Sequence, residues 1–146
     1  MQDYIKKADA LLNKECYIID FLPKTVPGDS KGQFFDVEYY LLNSEKHIMI
    51  KDKFVNVILK MMCYCNVVVL WNGWMERPKP KVIEEAISEI MENHSGSLNC
   101  LFTDENTLLV FDWDCLNLSV YNPSKEMQHM FEQIAGSEGL FWRVSN

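Results

Sequence analysis

Apolar residues recur along this chain with two distinct periods, and the switches between them mark out its elements. Ile5, Ala8 and Leu12 share one stripe with Leu11 beside it, while Lys6, Lys7, Asp9 and Asn13 lie off it, so residues 3–14 are expected to form an amphipathic helix. CYIIDFL at 16–22 is rich in β-formers and closed by Pro23, which predicts a strand. Residues 24–32 contain Pro27, Gly28 and Gly32 and read as a loop. Residues 34–42 hold strong β-formers, yet Phe35, Tyr39 and Leu42 keep a helical spacing and Val37 does not alternate cleanly. A short helix is the favoured reading. Ile50, Phe54, Val57, Ile58, Met61 and Met62 then follow the i, i+4, i+7, i+8 rule, predicting a largely buried helix over 50–63. Residues 67–72 form a continuous apolar run, as in a strand covered on both faces.

The second half repeats the alternation of types. Residues 73–80 carry two prolines and read as a connector. Over 81–94, Ile83, Ile87, Ile90, Met91 and His94 are placed inward and Glu84, Glu85, Ser88, Glu89 and Glu92 outward, with Gly96 as terminator. Three short segments, 98–103, 107–112 and 115–121, alternate with turns at 104–106 and 113–114, which predicts an antiparallel meander. Asn122 and Pro123 read as N-cap and first position of a helix over 123–135, with Met127, Met130, Phe131 and Ile134 buried and Gly136 and Gly139 ending it. Residues 140–144 are a last strand. With 115–121 and 123–135 they could make a parallel βαβ unit. The fold expected is α+β: a mixed, mostly antiparallel sheet packed by four to five helices.

A chain of 146 residues is the size of one domain. It can bury roughly 70% of its unfolded surface without a disulfide or metal. One shared core is favoured over two subdomains divided at the 73–80 connector. The net charge of −7 argues against non-specific nucleic-acid binding and against anionic membranes, and it suits a basic protein partner. The longest apolar run, VVVLW at 67–71, is far short of the roughly 20 residues a membrane span needs, and the first 15 residues show no signal-peptide core, so a cytoplasmic protein is expected. The five cysteines, Cys16, Cys63, Cys65, Cys100 and Cys115, lack paired C-x-x-C spacing and are expected to be reduced and mostly buried.

No residues group into a catalytic or metal-binding pattern, and no cofactor is implied. His47, His94 and His129 are the only histidines, with no Gly-x-Ser-x-Gly elbow and neither phosphate-binding glycine signature. Asp112 and Asp114, with Asp104 and Glu105 in the preceding turn, lack the ligand spacing of a calcium loop. What remains is a juxtaposition of acids with tryptophans. Trp74 falls in a connector and Trp113 in a turn between acids, and such aromatics are favoured interface anchors. Trp74, Asp104, Glu105, Asp112, Trp113 and Asp114 are therefore the candidate protein interface, with the acidic face of helix 81–94 as a contributor.

The segments CYIIDFLPKTVP, SKGQFFDVEYYLL, LSVYNPSKEM and GSEGLFW, spanning about residues 15–143, resemble a family of small acidic bacterial proteins of uncharacterised function. The resemblance implies a bacterial, intracellular origin and transfers no residue roles. The expected function is a non-catalytic protein-binding module, in its sharpest form an immunity or antitoxin-like protein masking a basic partner. The alternatives are a self-associating protein, and an enzyme or small-ligand binder whose site only the fold assembles.

Overall fold

The computed structural model describes residues 2–29, 31–113 and 116–145. Among them the chain runs α1 (Gln2–Leu11), β1 (Cys16–Asp20), α2 (Phe34–Asn43), α3 (His47–Met62), β2 (Val67–Leu70), β3 (Trp74–Glu76), α4 (Pro80–Asn93), β4 (Ser97–Phe102), β5 (Thr107–Asp112), β6 (Asn117–Tyr121), α5 (Lys125–Ser137) and β7 (Phe141–Val144). The strands form one seven-stranded sheet in the order β3-β2-β4-β5-β6-β1-β7. Every neighbouring pair is antiparallel.

The two sheet faces follow from alternation along each strand. Val67, Val69, Leu98, Cys100, Phe102, Leu109, Phe111, Leu118, Val120 and Ile19 belong to the main core with Phe54, Val57, Ile58 and Met61 of α3, Ile83, Ile87 and Ile90 of α4, and Met127 and Phe131 of α5. The opposite face carries a smaller cluster, where Ala8 and Leu11 of α1 cover Val68, Leu101, Leu108 and Val110. Strand β5 is buried at five successive positions because both of its faces are covered, which is why TLLVF reads as a continuous apolar run. An aromatic stack closes the β7 side. Tyr17 lies parallel to Trp142 at 5.0 Å, Trp142 parallel to Phe131 at 5.6 Å, and Phe131 edge-on to Phe102 at 5.9 Å.

Several sequence expectations are corrected. Residues 73–80 are not only a connector: Trp74–Glu76 pairs with β2 as the edge strand β3. Strands β6 and β7 are parallel to one another, but β1 lies between them, so the βαβ unit is split by an antiparallel strand. Helix α5 starts later than Asn122-Pro123 suggested. Asn122 sits at φ 62, donating from Nδ2 to the Asn106 carbonyl, and the cap is Ser124, whose Oγ accepts from the Met127 amide at 3.1 Å. Gly136 does not end the helix. It ends in a Schellman motif, in which the Leu140 amide bonds the Ala135 carbonyl and the Gly139 amide that of Gly136. Gly139 holds φ +76, and a Cβ there would lie 3.1 Å from Lys53 Nζ, which itself donates to the Glu138 carbonyl. His94 does not face inward. It is exposed and closes α4 in the left-handed conformation at φ 53. Met130 and Ile134 are only half-buried, and Ala135 completes the α5 stripe.

Charged groups lock the β7 side of the sheet. Asp20 Oδ2 accepts from Arg143 Nη2 at 2.9 Å and Oδ1 from the Phe21 amide at 2.7 Å. The two side chains are 11% and 17% exposed. Arg143 Nε is enclosed without a partner. Burial would raise the Glu138 carboxyl, but hydrogen bonds from Lys60 and Asn56 and the charges of Lys60 and Lys53 outweigh it and hold the group below its ordinary value.

Candidate functional site

The β4–β5 ladder decides which acids meet which tryptophan. Its last pair, Ser97 opposite Asp112, brings the α4–β4 corner alongside the β5–β6 turn. His94 at that corner therefore meets Trp113 in the turn, edge-on with ring centroids 6.2 Å apart. Trp113 keeps 43% of its surface open. Glu85, Glu89 and Glu92 recur at i, i+4 and i+7, so they share one stripe of α4 that runs toward this corner; all three are exposed. Lys81 pairs with Glu85 at 3.8 Å, but both side chains are open to water, where such a pair contributes little. Asp112 is exposed at the end of β5; Asp114 lies outside the described residues.

The other sequence candidates are not brought here. Asp104 and Glu105 occupy the β4–β5 turn, at the opposite end of a six-residue strand from Asp112. At a strand rise of about 3.4 Å per residue the two acidic turns are roughly 20 Å apart. Asp104 accepts from Asn66 Nδ2 at 3.2 Å, and Thr107 Oγ1 bridges the carbonyls of Glu105 and Asn122. This turn is tied into local structure. Trp74 is half-buried beneath α1, 5.7 Å from the Tyr4 ring, with its Nε1 enclosed and unpartnered, so it belongs to the smaller core.

Sequence reasoning missed a cleft assembled from distant segments. Phe21, Leu22, Val26, Phe34 and Val37 line an apolar recess of about 280 Å³. Beside it Asp20, Lys24, Glu38, Asn117 and Arg143 line a polar one of about 170 Å³. Asp20 and Arg143 are 123 positions apart, and the only sequence signal for them was a charge inside each apolar strand. Two acids and two bases line the recess, which is near charge balance, and Arg143 Nε is enclosed. A separate hollow of about 300 Å³ lies between Cys65, Asn66 and the Arg77–Pro80 segment.

The three histidines make separate local contacts. His47 Nδ1 lies 2.8 Å from the Ser44 carbonyl, His129 is exposed, and His94 meets Trp113. Among the described residues no three His, Cys, Asp or Glu side chains are grouped to hold a metal ion. No helix among them is long and apolar enough to cross a membrane. The thiols differ sharply. Burial pushes Cys100 up to about 12. Burial, then the neighbouring Glu105 and Asp104, push Cys65 up to about 11. Cys63 is exposed, contrary to the expectation of burial, while Cys16 is half-buried and Cys115 lies outside the described residues. Alkylation of the native protein at neutral pH should label Cys63 ahead of Cys16 and Cys65, and Cys100 only on unfolding. Peptide mass spectrometry over a labelling time course checks this, and early native labelling of Cys100 would contradict the covered sheet face.

No family model, curated protein or solved structure matches the chain.

Proposed function

We propose that this protein is a non-catalytic cytoplasmic protein-binding module of immunity or antitoxin type, masking a basic protein partner. One observation carries the reading: Trp113 is held open to solvent, braced by His94, at the corner toward which the Glu85-Glu89-Glu92 stripe runs. Exposed tryptophan is a preferred interface anchor, since one rigid side chain buries a large area at low entropic cost. The acidic stripe and the net charge of −7 would steer a basic protein toward it. Asp104, Glu105 and Trp74 are not part of this surface.

The test first reads the neighbouring genes for a basic protein, whose absence counts against the reading; such a protein is then purified and titrated against this chain by calorimetry and stopped flow. Trp113→Ala should weaken binding by about thirtyfold or more, mostly through faster dissociation. Glu89→Lys with Glu92→Lys should slow association by about tenfold and reduce its salt dependence. Asp104→Lys, at the far end of the sheet, should leave both rates unchanged. Equal effects of all three changes, or none, would remove this surface from the reading.

A further inference from the structure

Helix α2 is built as though half of its partners were missing. Its sequence FFDVEYYLLN has three polar residues in ten, yet none of its side chains is buried. Phe34, Glu38, Leu41 and Leu42 lean on the rest of the fold and are half-buried, while the outer face carries Phe35 at 78% and Tyr39 at 71% exposure, with Tyr40 also exposed; Val37 is on the other flank, at the recess it lines. The corner at residues 44–46 leads directly into α3, whose first turn adds exposed Ile48 and Met49. A helix apolar around most of its girth is normally covered on both sides. This one is also short and has no side-chain N-cap, so its own hydrogen bonds do little to hold it, and a cover over the outer face would supply burial it lacks.

Area and charge indicate the cover. With about 200 Å² for a large aromatic side chain, the five exposed residues Phe35, Tyr39, Tyr40, Ile48 and Met49 leave on the order of 600 Å² open. The largest apolar patch on a typical monomer is roughly 300–600 Å², and a stable pairwise interface takes roughly 800 Å² from each partner. The face has no single sign of charge. Asp36 lies on α2, Glu45 and Lys46 in the corner and Lys31 before the helix, which gives a strongly basic or acidic partner little purchase. A two-fold interface instead requires one patch to complement itself. Laying α2 antiparallel on α2 of another copy does this: Asp36 near the N-terminus of one helix meets Lys46 beyond the C-terminus of the other, and the helix dipoles oppose.

We propose that the outer face of α2 with the first turn of α3 is a homodimer interface, in which α2 pairs antiparallel with α2 of a second copy across a two-fold axis. The face shares no residue with the Trp113 corner.

Sedimentation equilibrium of the full chain up to millimolar concentration should show a monomer–dimer equilibrium. Phe35→Glu with Tyr39→Glu should raise the dimer Kd by about a hundredfold or more. Both side chains are mostly in water, so the helical circular dichroism of the variant should remain native, which separates lost association from lost folding. Asp36→Lys alone and Lys46→Glu alone should each weaken the dimer, and the two together should restore it, because the swapped charges meet across the axis. A monomer at every concentration, or a dimer that survives the double glutamate change, overturns the interface. A dimer indifferent to the charge swaps overturns the antiparallel arrangement. The Trp113→Ala variant should dimerise normally.

Discussion

Replacing Phe131 with alanine is expected to lower the unfolding free energy by about 3–5 kcal/mol. The ring has no exposed surface and sits at a junction, parallel to Trp142 of β7 and edge-on to Phe102 of β4. Its removal takes away apolar burial and both aromatic contacts, and it leaves a cavity between α5 and the sheet. The cavity cannot collapse easily, because Phe102 and Trp142 are each fixed by a backbone ladder. A domain of this size has about 5–15 kcal/mol of stability in all, so the variant should remain folded but close to its limit in cold buffer. Urea unfolding followed by far-ultraviolet circular dichroism measures the loss. A deficit below about 1 kcal/mol would mean that the stack is not the rigid core contact described here.

The second large effect comes from a charge rather than a ring. Asp20→Ala is expected to cost about 3 kcal/mol, because it strands the Arg143 guanidinium in a mostly enclosed place where its Nε already lacks a partner. Part of that loss is the Phe21 amide, which also gives up its acceptor. Replacing both members, Asp20→Ala with Arg143→Met, should recover most of the loss, since no buried charge is then left over. The double-mutant cycle separates the two cases: a coupling of about 2 kcal/mol is expected, and strict additivity would show that water already compensates the pair.

The proposed interaction corner was half legible in the sequence. The turn acids, Trp113 and the acidic outer face of the 81–94 helix could each be picked out by type and spacing. That the helix end and the turn meet could not, because it depends on the register Ser97 opposite Asp112 and on His94 taking a left-handed cap. Trp74 was misplaced for a related reason. Three residues between prolines and glycine look like connector, and only hydrogen bonding to β2 makes them a strand. The apolar face of α2 was hidden differently. Periodicity shows that FFDVEYYLLN is apolar on more than one side, but not which side the fold covers.

By itself the sequence determined the class of fold and the kind and approximate extent of most elements. Period and turn chemistry are local properties, carried by neighbours such as Ile83, Ile87 and Ile90 or Leu118 and Val120. Tertiary structure decided where those elements sit. It slotted β1 between β6 and β7, splitting a unit that is contiguous in sequence, because a strand's partners are chosen by hydrogen-bond ladders and face-to-face burial, which carry no mark in nearby residues. It moved the start of α5 from Asn122 to Ser124, since Asn122 takes the left-handed conformation at φ 62 and Ser124 the extended backbone of an N-cap. It also chose which apolar residues stay in water. Phe131 and Phe35 are the same residue type, each in a segment read as a helix. One closes the core and the other faces solvent, because only the packing of the whole chain determines which helix face meets the sheet.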